Sequence, residues 1–384
     1  MFQRRSDWVP LLLIFTLTAA GVVVGSDIRE IFYSRIRDIL DTPPFDQEYS
    51  LTSPTKHPVE VKNWGSQLEG KVGQVSGVSV NNFFQPVIFH RGPRSWDARN
   101  QLFNNSNYYI RLEDGPIQED TILILRPEDG SIAESWGKGL FYLPHGITID
   151  HHDNTWVTDI AMHQVLKFSS KDRNVPKLRL GELFVPGSSE TQFCKPTSVA
   201  IAMSGEIFVA DGYCNNRIMK FSHPGKLIRI FPQNEEFLSL LIPHSITLMH
   251  SVNLLCVADR ENMRVACLDA ELCSNMKRSS SSFTIHQPDL GRVFGIASIG
   301  NLSYAVNGPT SSHIPIQGFT IDPLGERIVD HWKPLSKDFS NPHDIAISPD
   351  GKALYVSEIG PNKVWKFTID HQPAYEISYR SKHC

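Results

Sequence analysis

Three histidines stand 99 residues apart, each inside the same short phrase: Leu143-Pro144-His145-Gly146, Ile242-Pro243-His244-Ser245 and Asn341-Pro342-His343-Asp344. Imidazole nitrogen is a good zinc ligand, and three histidines with an open fourth position suit catalytic rather than structural zinc. Equivalent positions of a repeat fold converge in space, so His145, His244 and His343 would meet on one axis. The plainer alternative is a histidine that serves only the hydrogen bonding of its own repeat. Two observations weaken it: the histidines occur in alternate units, and a proline precedes each one. In the intervening units Ser76, Thr197 and Phe294 fill the same slot.

The elements that must position these histidines are short strands. Each phrase runs into an alternating apolar stretch: Ile147-Thr148-Ile149, Ile246-Thr247-Leu248 and Ile345-Ala346-Ile347. Copies without histidine fall between them at Thr197-Ser198-Val199-Ala200-Ile201 and Val293-Phe294-Gly295-Ile296-Ala297, with an earlier one at Val75-Ser76-Gly77-Val78-Ser79-Val80. A second strand follows in several units, as in Thr155-Trp156-Val157-Thr158-Asp159 and Ile207-Phe208-Val209-Ala210-Asp211. A third ends in a basic and aromatic pair, as in Lys167-Phe168, Lys220-Phe221 and Lys366-Phe367. Period-two strands separated by Gly, Asn and Asp turns predict antiparallel sheet. Six such units predict an all-β chain folded as a six-bladed β-propeller with NHL-like repeats.

Length and composition fit that architecture. Of 384 residues, 62–370 are expected to form the propeller and 371–384 a surface tail. Arg4 and Arg5 precede an apolar run ending near Gly25, so 1–25 reads as a secretory signal peptide or an uncleaved signal anchor. Residues 26–61 read as a linker with a short helix before Pro43-Pro44. A net charge of −4 with no long run of one sign gives no footing for nucleic acid, and a monomer is expected. Six cysteines suit an oxidising compartment, with Cys194 and Cys214, and Cys256 and Cys267, as plausible local staples; Cys273 and Cys384 are left over. The sequons at Asn104 and Asn301 would be glycosylation sites in a secreted chain.

Seven phrases in unbroken order carry a family resemblance: Gly73-Gln74-Val75-Ser76-Gly77-Val78, Phe89-His90-Arg91-Gly92, Leu143-Pro144-His145-Gly146, Asp211-Gly212-Tyr213-Cys214-Asn215, Pro243-His244-Ser245, Ala258-Asp259-Arg260-Glu261-Asn262 and Pro342-His343-Asp344. Together they resemble peptidyl-α-hydroxyglycine α-amidating lyase, the second half of the peptide-amidation machinery, over about residues 70 to 370. The resemblance implies a six-bladed propeller that cleaves peptidyl-α-hydroxyglycine to a peptide amide and glyoxylate. It implies zinc on His145, His244 and His343. It also implies a structural calcium held by Asp344 and the carbonyls of Val78 and Ile147, and active-site roles for Tyr213, Arg91 and Arg260. An arginine fork suits the substrate carboxylate. Tyr213 is the expected proton carrier, with a pKa lowered by cationic neighbours. The resemblance also implies disulfides Cys194–Cys214 and Cys256–Cys267, holding two catalytic loops.

The chain departs from the family at Asn341, where a methionine is usual, so a change in pocket shape is expected there. Segments 83–86 and 279–290 also depart and are expected in surface loops. Nothing upstream resembles the copper monooxygenase that makes the substrate, so a separate peptidylglycine α-hydroxylating monooxygenase is expected to supply it. The competing reading is a catalytically silent secretory-pathway propeller that binds peptide or protein.

Overall fold

The computed structural model describes residues 57–97, 99–232, 238–272 and 282–369, all within one unit, Tyr49–Cys384. The expected signal segment, the helix before Pro43, the tail, Cys273 and Cys384 lie outside the described residues. Among the described residues no helix is long and apolar enough to cross a membrane.

Six four-stranded antiparallel sheets form the blades. Blade 1 comprises Val75–Val80, Pro86–His90, Ile122–Leu125 and Ile132–Trp136; blade 2 comprises Pro144–Ile149, Thr155–Asp159, Gln164–Phe168 and Leu178–Leu180. Blade 3 comprises Ser198–Ile201, Ile207–Asp211, Arg217–Phe221 and Leu227–Phe231; blade 4 comprises Pro243–Met249, Leu254–Asp259, Arg264–Asp269 and Phe283–Ile285. Blade 5 comprises Val293–Ile299, Leu302–Asn307, Gly318–Asp322 and Arg327–Trp332. Blade 6 comprises Pro342–Ile347, Ala353–Glu358 and Lys363–Ile369, and its outer strand is Pro58–Glu60. The first strand of each blade packs against the first strands of its neighbours and lines the axis.

Two boundaries differ from the sequence reading. Pro58–Glu60, expected in the linker, pairs antiparallel with Lys363–Ile369, with Glu60 opposite Phe367, so the ring closes with a strand from the N-terminal side. Phe283–Ile285, expected in a loop, is the outer strand of blade 4. Both strands are three residues long, too short to show a period. Phe83 and Phe84 are exposed at a turn, as expected of that segment.

An apolar core fills each interface between blades. Blade 1 sends Val87 and Phe89 towards Val157 and Leu166 of blade 2, and the intervening Ile88 towards Tyr355 and Val364 of blade 6. A middle strand therefore buries both faces, and Thr155–Asp159, Ile207–Asp211 and Leu254–Asp259 are buried throughout. The outer strand Ile132–Trp136 has exposed residues instead. This packing fixes the inner strands rigidly about the axis, where the histidines stand.

Candidate active site

The three histidines occupy the second position of the inner strands of blades 2, 4 and 6. They are 1–3% exposed. Their ring centroids are 5.0, 4.9 and 4.7 Å apart, and their ligand nitrogens all lie within 4.8 Å of one another. Each Nδ1 donates to a backbone carbonyl: His145 to Thr197 at 2.8 Å, His244 to Phe294 at 2.7 Å and His343 to Ser76 at 2.6 Å. Thr197, Phe294 and Ser76 are the very residues that fill the histidine slot in blades 3, 5 and 1. Alternate units thus supply a ligand and then the carbonyl that fixes its tautomer, leaving the Nε2 lone pairs facing inwards. Burial holds all three rings neutral, His343 at about 3 and the others well below the usual histidine value; His343 adds to it for His145 and His244, and Arg91 for His145 and His343. Neutral, oriented, buried imidazoles are a donor set that fits zinc.

Tyr213 stands over this triangle, its hydroxyl 3.0 Å from His145 Nε2 and 3.1 Å from His244 Nε2. Its loop is held on both flanks. Gly212 lies so close to blade 4 that a Cβ there would be 2.3 Å from the Pro243 carbonyl, and Cys214 is bonded to Cys194. Asn215 and Arg217 both donate to Asp211, at 2.6 and 3.0 Å. Burial raises the Tyr213 pKa, and Arg260 and Arg91 only partly oppose it. This reverses the expectation of a lowered value: the cations are present, but the crowding of the half-buried ring by its neighbours outweighs them.

The two arginines differ in what they are free to do. Arg260 donates to Glu261 at 3.0 Å and lies over the rings of Tyr213 and Phe294, 5.3 and 5.0 Å from their centroids. Arg91 is 1% exposed, donates through Nε to the Pro144 carbonyl at 2.9 Å and through Nη1 to Gln74 at 2.6 Å, and has no partner for Nη2. Burial pulls its pKa down to about 10, which leaves it charged at neutral pH. Both arginines, Tyr213 and His343 line a cleft of about 340 Å³ with Trp96, Asp97, Phe294 and Ile359.

The NHL repeat model matches residues 193–221. A solved nidogen/laminin complex shares the fold, with a TM-score of 0.51 and 15% identity over 71% of this chain and 84% of that one. Peptidyl-alpha-hydroxyglycine alpha-amidating lyase 2 of Drosophila melanogaster is 52% identical over 81% of this chain and 76% of its own length. This chain belongs to the peptidyl-α-hydroxyglycine α-amidating lyases. The lyase is also 41% identical to the peptidyl-glycine alpha-amidating monooxygenase of Mus musculus, but it spans only 32% of that longer protein.

In this lyase the sequence-predicted residues fall into three groups. His145, His244, His343, Tyr213, Arg91 and Arg260 come together at one end of the axis. Asp344 lies deeper, lining an axial channel with Ile147, Ser76 and the histidines. It accepts from the Val78 N–H at 3.0 Å, and burial raises its carboxyl to about 7. Among the described residues no lysine or arginine pairs with it. A half-buried carboxylate on a channel wall, without a cationic side chain, suits a hard cation such as calcium. Asn104 and Asn301 are exposed, at turns.

Both disulfides are present. Cys194–Cys214 braces the Tyr213 loop as expected. Cys256–Cys267 joins directly opposed residues of the blade 4 hairpin whose turn carries Arg260. Asn341 donates to the Gly360 carbonyl at 3.3 Å, and it is the neighbouring Ile359 that lines the cleft. Sequence reasoning missed Trp96, whose ring meets Tyr213 edge-on at 4.8 Å. It lies in the long connection 91–121 of blade 1, which carries no repeat signal.

Proposed function

We propose that the chain is a zinc-dependent lyase that cleaves peptidyl-α-hydroxyglycine to a peptide amide and glyoxylate. The observation that carries this reading is the convergence of three neutral, carbonyl-anchored imidazoles on the Tyr213 hydroxyl, beside a cleft that Arg91, with its unpartnered Nη2, also lines. His145, His244 and His343 would hold the zinc, which supplies a Lewis acid that makes the substrate hydroxyl easier to deprotonate. Arg91 offers Nη2 to the substrate carboxylate, and its two other bonds fix the direction of approach. Arg260 lies against Tyr213 and stabilises negative charge there. Tyr213, protonated at rest, relays the proton: its oxygen accepts from the substrate hydroxyl as its own proton passes to the departing amide nitrogen, so the carbon–nitrogen bond breaks as the carbonyl of glyoxylate forms. Trp96 and Phe294 wall the cleft and limit water. Asp344, with the carbonyls of Val78 and Ile147, would hold calcium on the axis and tie blades 1, 2 and 6 together.

The disulfides and the apolar N-terminal run support a secretory-pathway location. A separate monooxygenase of the type seen among the longer relatives would supply the hydroxyglycine substrate. The test is glyoxylate release from a synthetic peptidyl-α-hydroxyglycine by purified protein, before chelation, after it and with zinc restored. Activity should vanish on chelation and return with zinc. No release above the spontaneous rate from folded, zinc-loaded protein would leave the silent binding propeller.

A further inference from the structure

We propose that Gln74 is the positioning residue that gives Arg91 its selectivity for a carboxylate, orienting the guanidinium without neutralising it. The proposal rests on the lyase reading only for the identity of the natural substrate.

Gln74 immediately precedes the inner strand of blade 1, and its place is set by backbone. Its carbonyl accepts from the Arg91 N–H at 3.0 Å. Gly73 and Gly92 are packed so closely that a Cβ on Gly73 would lie 1.8 Å from the Gly92 carbonyl oxygen. This crossing puts the Gln74 amide oxygen between two donors, Arg91 Nη1 at 2.6 Å and the Trp96 N–H at 2.8 Å. A single side-chain oxygen therefore uses both acceptor positions to couple the guanidinium to the aromatic wall of the cleft. Trp96 answers by packing its ring 5.6 Å from the Arg91 guanidinium carbon.

The remaining donors of Arg91 make the consequence definite. Nε is taken by the Pro144 carbonyl, next to His145, and Nη2 is buried without a partner, on a side chain that lines the cleft. An unsatisfied buried N–H of a charged group is costly unless a ligand completes it. The chemical class that completes it is a carboxylate, through a charge-assisted bond. A glutamate at position 74 would offer the same acceptor oxygens to Nη1 and to Trp96, and would hold the guanidinium at least as firmly. It would also place a negative charge beside Arg91 and remove the attraction for an anionic ligand. Glutamine gives direction without charge.

The experiment compares two non-reacting probes on purified protein by calorimetry: a peptide ending in glycine with a free carboxylate, and its methyl ester. Wild type should bind the acid more tightly than the ester. In Gln74→Glu the acid should weaken on the order of tenfold or more while the ester is unchanged. The melting temperature should not fall. Gln74→Ala, which releases the guanidinium and Trp96 together, should also lose acid preference, and it serves if the glutamate variant fails to fold. An acid-to-ester ratio unchanged in folded Gln74→Glu would overturn the proposal, as would equal weakening of both probes or a wild type without acid preference. Because no turnover is needed, failure of glyoxylate release would count against the lyase reading and leave this comparison interpretable.

Discussion

Tyr213 is a residue whose chemistry can be separated from its packing. The loop that carries it is fixed by Gly212, by the Cys194–Cys214 bond and by the Asp211 hydrogen bonds, none of which uses the phenol oxygen. Tyr213→Phe should therefore keep the fold, losing about 1 kcal/mol for the buried hydroxyl contacts. Glyoxylate release should fall by about 10² to 10⁴, the range of a positioned proton-transfer group. Steady-state kinetics and thermal melting on the same preparation check this, and activity within a few-fold of wild type would remove Tyr213 from proton transfer. The identity of this residue was legible in its phrase, but the direction of its pKa was not. Neighbouring cations can be guessed from sequence, whereas the degree of burial that outweighs them depends on Trp96, His145 and His244 closing in from three other segments.

At the scale of the strand, the acid that ends the second strand of a blade decides where the histidine phrase sits. Asp159 accepts from the Tyr142 and Leu143 N–H groups at 2.7 and 2.9 Å, just ahead of Pro144-His145. Its other oxygen takes Ala161 and Met162 at 3.0 and 3.1 Å. Asp259 does the same for Leu241 before His244, and Glu358 for Ser340 and Asn341 before His343. The recurring acid was visible in the sequence as the end of the second strand in four of the repeats, at Asp159, Asp211, Asp259 and Glu358. Its function was not, because its partners belong to the loop that precedes the first strand and only the sheet brings them together. Asp159→Asn would turn an N–H donor towards backbone donors and should destabilise by about 2–3 kcal/mol. It should also weaken zinc retention through His145. Urea unfolding and zinc content measured after dialysis test this, and an unchanged midpoint with full zinc would show the acid to be dispensable.

For the whole molecule, the number of blades was legible because the histidine phrase recurs, while the closure by Pro58–Glu60 was hidden in a strand that pairs with residues some 300 positions away. The closed ring also buries histidines outside the axial triangle, and these set a response to acid. His90 is 2% exposed and accepts from the Gly92 N–H at 3.1 Å; His163 is fully buried and accepts from the Lys195 N–H at 3.0 Å. A ring nitrogen that accepts must be unprotonated, and burial, the leading cause, brings both pKa values down to about 4. In the unfolded chain each histidine titrates near the ordinary value of about 6.5. Between those values the unfolded state binds more protons than the folded one, so stability is fully present above about pH 6.5 and is lost as pH falls towards 4. Each histidine should remove on the order of 1–2 kcal/mol between pH 7 and pH 5. Acid should therefore lower the melting temperature over this window before any carboxylate of ordinary pKa begins to titrate. Thermal melts of zinc-loaded protein from pH 7.5 to 4.5 would read it directly. A melting temperature that stays level down to pH 5 would mean that these rings accept a proton in the folded state, and that the Gly92 and Lys195 contacts rearrange to let them.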